Sequence, residues 1–234
     1  MDRAKRGRSE DMCNMPTAEM LVAREMPITK EMLVGAAIRP TTAAVSPGPD
    51  PGTWTIKFHI NDSAGALAAT AGALALARLD IFSALISRAS VSGVPEVSFD
   101  VRPLGETRSA PIDAEELATS AEQILRGEKN MVAEIAKLRQ EFPVKASVSP
   151  KVDLDLGSEL STGIKVVCAD RPALVYNITE ILGRHRLHTR AFSILMFRGC
   201  AHASFRIVDS TGVPPKNSLV LGALRAELLS NCSF

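Results

Sequence analysis

Aromatic residues are scarce: they make up 4% of 234 residues, with one Trp and one Tyr. A surface that stacks nucleobases needs aromatics interleaved with basic residues. An excess of one charge is also missing, since 27 Lys and Arg stand against 26 Asp and Glu. Together these absences point away from nucleic acid. There is no apolar run long enough to cross a membrane. The basic opening MDRAKRGR is not followed by the apolar stretch of a secretory signal. The expected location is therefore cytoplasmic. The four cysteines, Cys13, Cys168, Cys200 and Cys232, show no C-x-x-C spacing. A cytosolic chain keeps them reduced, and buried, inert thiols are expected. Cys168 and Cys200 would lie close if their strands were antiparallel neighbours.

Catalytic signatures are missing too. There is no P-loop, no G-x-G-x-x-G and no Ser-His-Asp order. His185 and His188 are three residues apart at a helix end, crowded by Arg184, Arg186 and Arg190. That suits complementarity to the helix dipole better than a metal. No cofactor or metal is implied. Asp153 and Asp155 alternate on a predicted strand, as on a solvated face.

What is present is a repeat. IKVVCA reads as a strand and stops at Asp170-Arg171-Pro172. Leu174, Ile178, Ile181 and Leu182 then fall at i, i+4, i+7 and i+8, one face of an amphipathic helix. Asp170 is the expected N-cap, and Pro172 suits the first turn. A second copy of the arrangement begins 108 residues earlier, at Asp62. At that offset Leu79 matches Leu187 and Ile86 matches Ile194. Each copy reads strand, helix, strand, hairpin, strand, helix. The second helices are expected over 113–126 and 215–229, with a further helix over 130–142 between the copies. The helix after Asp62 is small-sided, from Ala64 and Gly65 to Gly72 and Ala73, and suits close packing.

These units predict an α+β fold of two ferredoxin-like βαββαβ domains with both helices of each on one face. The expected divisions are an N-terminal extension and linker (1–52), a first domain (53–156) and a second (157–234). Within the extension, TTAAVSPGPDPGT reads as linker, and 17–26 and 29–38 read as short amphipathic pieces. ASVSPKVDLDL, residues 146–156, is the candidate closing strand of the first copy. The second copy has no clear final strand. That leaves a sheet edge open, joined to the other sheet, or covered by another chain.

Asp170-Arg171-Pro172-Ala173-Leu174 resembles the strand-to-helix turn of ACT domains, with Ala173 where that family has Gly. Asp62-Ser63-Ala64-Gly65-Ala66 keeps the Asp and the Gly. AGALALARLDIFSA and ASFRIVDSTGVPP resemble passages of the tandem ACT pair that ends bifunctional PII uridylyltransferase/uridylyl-removing enzymes. The resemblance spans about residues 53–230. It implies a non-catalytic regulatory module that binds an amino acid, glutamine above all, in nitrogen-metabolism control. The implied ligand site comprises Asp62, Ser63, Ala64 and Gly65, with Asp170, Arg171, Pro172 and Ala173 in the second copy. Helix N-terminal amides would hold a carboxylate, Asp62 an amino group, and Gly65 would allow close approach. The methyl of Ala173 is expected to weaken the second site. Neither the carboxylate pair of a nucleotidyltransferase nor a His-Asp dyad is present, so an enzyme is not expected. The alternatives are the sensor portion of a truncated or split uridylyltransferase, and an interaction module with degenerate ligand sites. The partners implied are a small amino acid and, through sheet edges, a second copy or a separate catalytic chain.

Overall fold

The computed structural model describes residues 41–60, 65–88, 95–105, 111–144 and 148–233. The elements run β1 (Thr42–Pro47), β2 (Trp54–His59), α1 (Ala66–Leu76), β3 (Leu79–Arg88), β4 (Pro95–Pro103), α2 (Ala114–Leu125) and α3 (Met131–Glu141). They continue β5 (Lys151–Asp155), β6 (Thr162–Ala169), α4 (Leu174–Arg184), β7 (His188–Phe197), β8 (Cys200–Val208) and α5 (Ser218–Cys232). One eight-stranded antiparallel sheet has the order β1-β2-β4-β3-β7-β8-β6-β5. The fold class is α+β, as the sequence predicts.

Two expectations about strands are corrected. The stretch read as linker contains β1, which pairs with β2 from Thr42↔His59 to Pro47↔Trp54. Its Ala, Val and Ser side chains give only a weak alternation, so no strand signal stood out from the Pro and Gly around it. The candidate closing strand of the first copy is instead β5, and it pairs with β6 of the second copy. Residues 145–147 of that stretch lie outside the described residues, as do 17–26 and 29–38. Both copies therefore read ββαββα, with the outer strand supplied before the unit rather than after it. Of the three possibilities for the second copy, the sheets do join, through β3 and β7, while β5 of this same chain covers the edge beside β6.

The two half-sheets join through β3 and β7, with Ser83↔Leu195, Ala84↔Ile194 and Leu85↔Ser193 in register. Leu85 and Ser193 are themselves 108 apart, so a pseudo-twofold axis passes between them. Other marks recur at the same offset. Both hairpins carry a register shift, between Ile81 and Ser83 and between Thr189 and Ala191. Arg78 and Arg186 have φ 57° and 56°, each ending a helix-to-strand turn.

Helices α1, α2, α4 and α5 cover one face. Ile56, Phe58, Phe99, Ile164, Val166 and Phe205 are buried beneath them, while Lys57 and Lys165, on the other parity, are exposed. Small residues let α1 sit between its neighbours, so it is buried almost all round. An added Cβ at Gly72 would meet Tyr176 of α4 at 2.9 Å, with Ile124 of α2 and Met131 of α3 both at 3.1 Å. Among the described residues no helix is long and apolar enough to cross a membrane.

Candidate functional site

The strand-to-helix turns of the two copies face each other's helices. Gly65 starts α1 with φ 92°, in the left-handed region, and Ala173 starts α4 with φ 58°. Neither cap residue supplies a side-chain hydrogen bond. α1 and α4 lie side by side, with Gly65 backbone atoms 3.6 Å from where a Cβ on Gly183 of α4 would stand. The end of one central helix thus meets the beginning of the other.

Among the described residues, a Cβ added to Gly65 would meet only Leu125 Cδ1, at 3.8 Å. Gly65 has no side chain with which to cap the first amides of α1, and uncapped helix N-terminal amides can hold an anion. Asp62, Ser63 and Ala64 lie outside the described residues.

The second turn is closed by its own side chains. Asp170 was expected to cap α4, and it does not. The cap is Ala173, three residues on, because the chain first makes a turn in which the Leu174 N–H donates to the Arg171 carbonyl at 3.3 Å. Asp170 instead faces the first copy. Arg102 of β4 donates to Asp80 Oδ2 at 2.9 Å, and its Nη2 lies 3.6 Å from Asp170 Oδ2. The other Asp170 oxygen is buried without a hydrogen-bond partner. Burial and the charge of Asp80 raise the Asp170 pKa to about 6, against the pull of Arg102. Burial likewise raises Asp80, despite Arg102. Arg171 is 4% exposed and donates through Nη2 to the carbonyl and to Oδ1 of Asn231 on α5. Burial and the nearby Arg171 lower the pKa of Arg139 on α3. Between this turn and Ala71, Ala75 and Asp80 there remains a crevice of about 10 Å³, room for little more than one water.

A larger cleft, of about 370 Å³, lies between α1, α2 and the start of α3, where no motif pointed to a site. Asp113, Glu116, Glu128, Lys129 and Glu134 line it. Part of this polarity is engaged in the helices: Asp113 Oδ1 accepts from the Glu115 and Glu116 amides, and Asn130 Oδ1 from the Ala133 amide.

The other candidates resolve simply. His185 caps the end of α4 and lies 2.8 Å from Glu227 Oε2 of α5. Among the described residues no group of His, Cys, Asp and Glu is arranged to hold a metal ion. Asp153 and Asp155 are exposed on β5, with Asp155 3.2 Å from Arg206. Cys168 and Cys200 lie on paired strands but one residue out of register, with Cys168↔Ala201 and Ala169↔Cys200. Their side chains therefore lie on opposite faces of the sheet, and Cys200 is disulfide-bonded, which corrects the expectation that the cysteines stay reduced.

No model of a known protein family matches this chain, and no curated protein matches it significantly.

Proposed function

We propose that this protein is a non-catalytic regulatory module that binds a free amino acid at the turn before α1, and that the turn before α4 is closed. The observation that carries the reading is the contrast between two turns in register. Gly65 carries no Cβ, and among the described residues one added there would meet Leu125 alone, whereas Ala173 places a methyl at the matching position and the neighbouring Arg171 is buried against Asn231. A ligand α-carboxylate on the α1 amides suits that asymmetry. By the resemblance to ACT domains, Asp62 would take the ammonium group and glutamine is the first ligand to try.

The test is a thermal-shift screen against the amino acids, repeated with Gly65→Ala. A ligand bound only by the folded state raises the melting temperature by mass action. One amino acid should raise it for the native chain and not for Gly65→Ala, while Ala173→Gly leaves the response in place. A cooperative transition that no amino acid shifts would remove the proposal.

A second reading has its own support. The sheet face away from the helices carries the exposed side chains of Leu85, Leu195 and Phe197 near the pseudo-twofold axis. That favours an interaction module, and a mass that grows with concentration in light scattering would support it.

A further inference from the structure

The sheet face away from the helices is organised in rows across its four central strands. β4 presents Glu96, Ser98 and Asp100 on that face, because Val97, Phe99 and Val101 between and beyond them are buried beneath the helices. β8 presents His202, Ser204 and Arg206 for the same reason, with Ala203, Phe205 and Ile207 buried. Each of these three stands 106 residues after its counterpart on β4. The pairing register puts Ser98, Leu85, Ser193 and Ser204 in one row. It puts Asp100, Ser83, Leu195 and His202 in the next. Glu96 and Arg206 therefore share the row on the other side of Ser98 and Ser204.

The two halves of this face are complementary in charge and in size. Where β4 carries two carboxylates, β8 carries a histidine and an arginine. Within one chain Glu96 lies 3.1 Å from Lys57 and 3.4 Å from His59, and Arg206 lies 3.2 Å from Asp155. Asp100 accepts from Thr55 Oγ1 at 2.6 Å. On the central strands Leu85 stands beside Ser193, and Leu195 beside Ser83. The two leucines are 48% and 47% exposed.

We infer that this face binds a second molecule of the same chain, sheet against sheet, about a twofold axis parallel to the strands over the seam between β3 and β7. Such an axis lays β4 of one protomer over β8 of its partner, and β3 over β7. Glu96 of one then faces Arg206 of the other, and Asp100 faces His202. Leu85 stands over Ser193 and Leu195 over Ser83, so large side chains meet small ones from both sides. An axis running across the strands would lay β4 on β4 and set Glu96 against Asp100, which like charge disfavours. Packed sheets turn by about 30° relative to each other, which leaves the central rows in contact. Eight strands about 4.8 Å apart and about 20–30 Å long present roughly 900 Å². A stable interface takes about 800 Å² from each partner. The proposal rests on the interaction reading of this face and is independent of ligand binding before α1.

The experiment follows the mass of the full native chain by light scattering over a concentration series. The expected result is the mass of two chains at high concentration and of one on dilution. Leu195→Asp, at a half-exposed position, should keep the native circular dichroism and weaken association by about tenfold or more. Glu96→Arg and Arg206→Glu should each be single where the native chain is paired. Mixing those two variants should restore the pair, because each then meets the opposite charge at both ends of the interface. A native chain that stays single at every concentration would overturn this proposal and the interaction reading together. Association that ignores Leu195→Asp and both charge variants would overturn this pairing and leave that reading standing. So would charge variants that stay apart when mixed.

Discussion

Ala173 holds φ 58°, a region where an L side chain is crowded by its own backbone and glycine is not. Gly65 occupies the matching place at φ 92° without that crowding. Ala173→Gly should therefore stabilise the fold by about 1 kcal/mol in urea unfolding, and Gly65→Ala should destabilise it by about 1 kcal/mol. Asp170 predicts a pH dependence. Its folded pKa of about 6 stands above the ordinary 3.8, so the folded state holds the proton more tightly. The stability this contributes is complete below 3.8 and is lost as the pH rises through about 6. Asp80, shifted in the same direction, adds to the effect. Melting temperature followed across that window should fall with rising pH, and Asp170→Asn should flatten the slope.

The helices owe their placement to small residues more than to amphipathic faces. α1 is buried around its circumference because alanine and glycine let α2, α3 and α4 approach it together. Gly72 is the point where they meet. Gly72→Val would push a branched side chain into Tyr176, Ile124 and Met131 at once. Overpacking of this kind costs about 1–3 kcal/mol, and near-ultraviolet circular dichroism should show the single Tyr disturbed. The same change at Gly222 of α5, where an added Cβ meets nothing within 4 Å, should leave that signal unaltered.

The two copies share a core. Ile56, Phe58 and Phe99 of one belong to the same buried cluster as Ile164, Val166 and Phe205 of the other. The sheet is continuous across β3 and β7, α1 packs on α4, and Arg102 links Asp80 to Asp170 across the boundary. The molecule should therefore unfold in one transition. Ile56→Ala and Ile164→Ala should each lower its midpoint, by about 2–5 kcal/mol of stability. Circular dichroism and Trp54 fluorescence should give coincident curves for both variants. Two separable transitions, each moved by only one variant, would show that the copies fold apart.

Much of this was legible along the chain, because local rules govern local structure. The repeat, the helix faces at Leu174, Ile178, Ile181 and Leu182, and the helix beginnings at Asp113 and Asn130 all follow from side-chain periodicity and capping. The exposed strand carboxylates Asp153 and Asp155 follow from alternation. The outer strands did not, since β1 and β5 are short and defined by the strand each pairs with. The cap of α4 was misplaced by three residues because a turn at Arg171 intervenes before the helix can begin. At the site, the sequence distinguished Gly65 from Ala173 by the presence of a Cβ. It could not show that Arg171 reaches Asn231 or that Arg102 stands over Asp170. Those pairs are separated by about 60 residues or more, and only the docking of α5 and the joining of the half-sheets brings them together. Periodicity fixes which face of an element is apolar. Which distant polar groups then share the space beside it depends on how the elements pack, and that was decided by the tertiary structure.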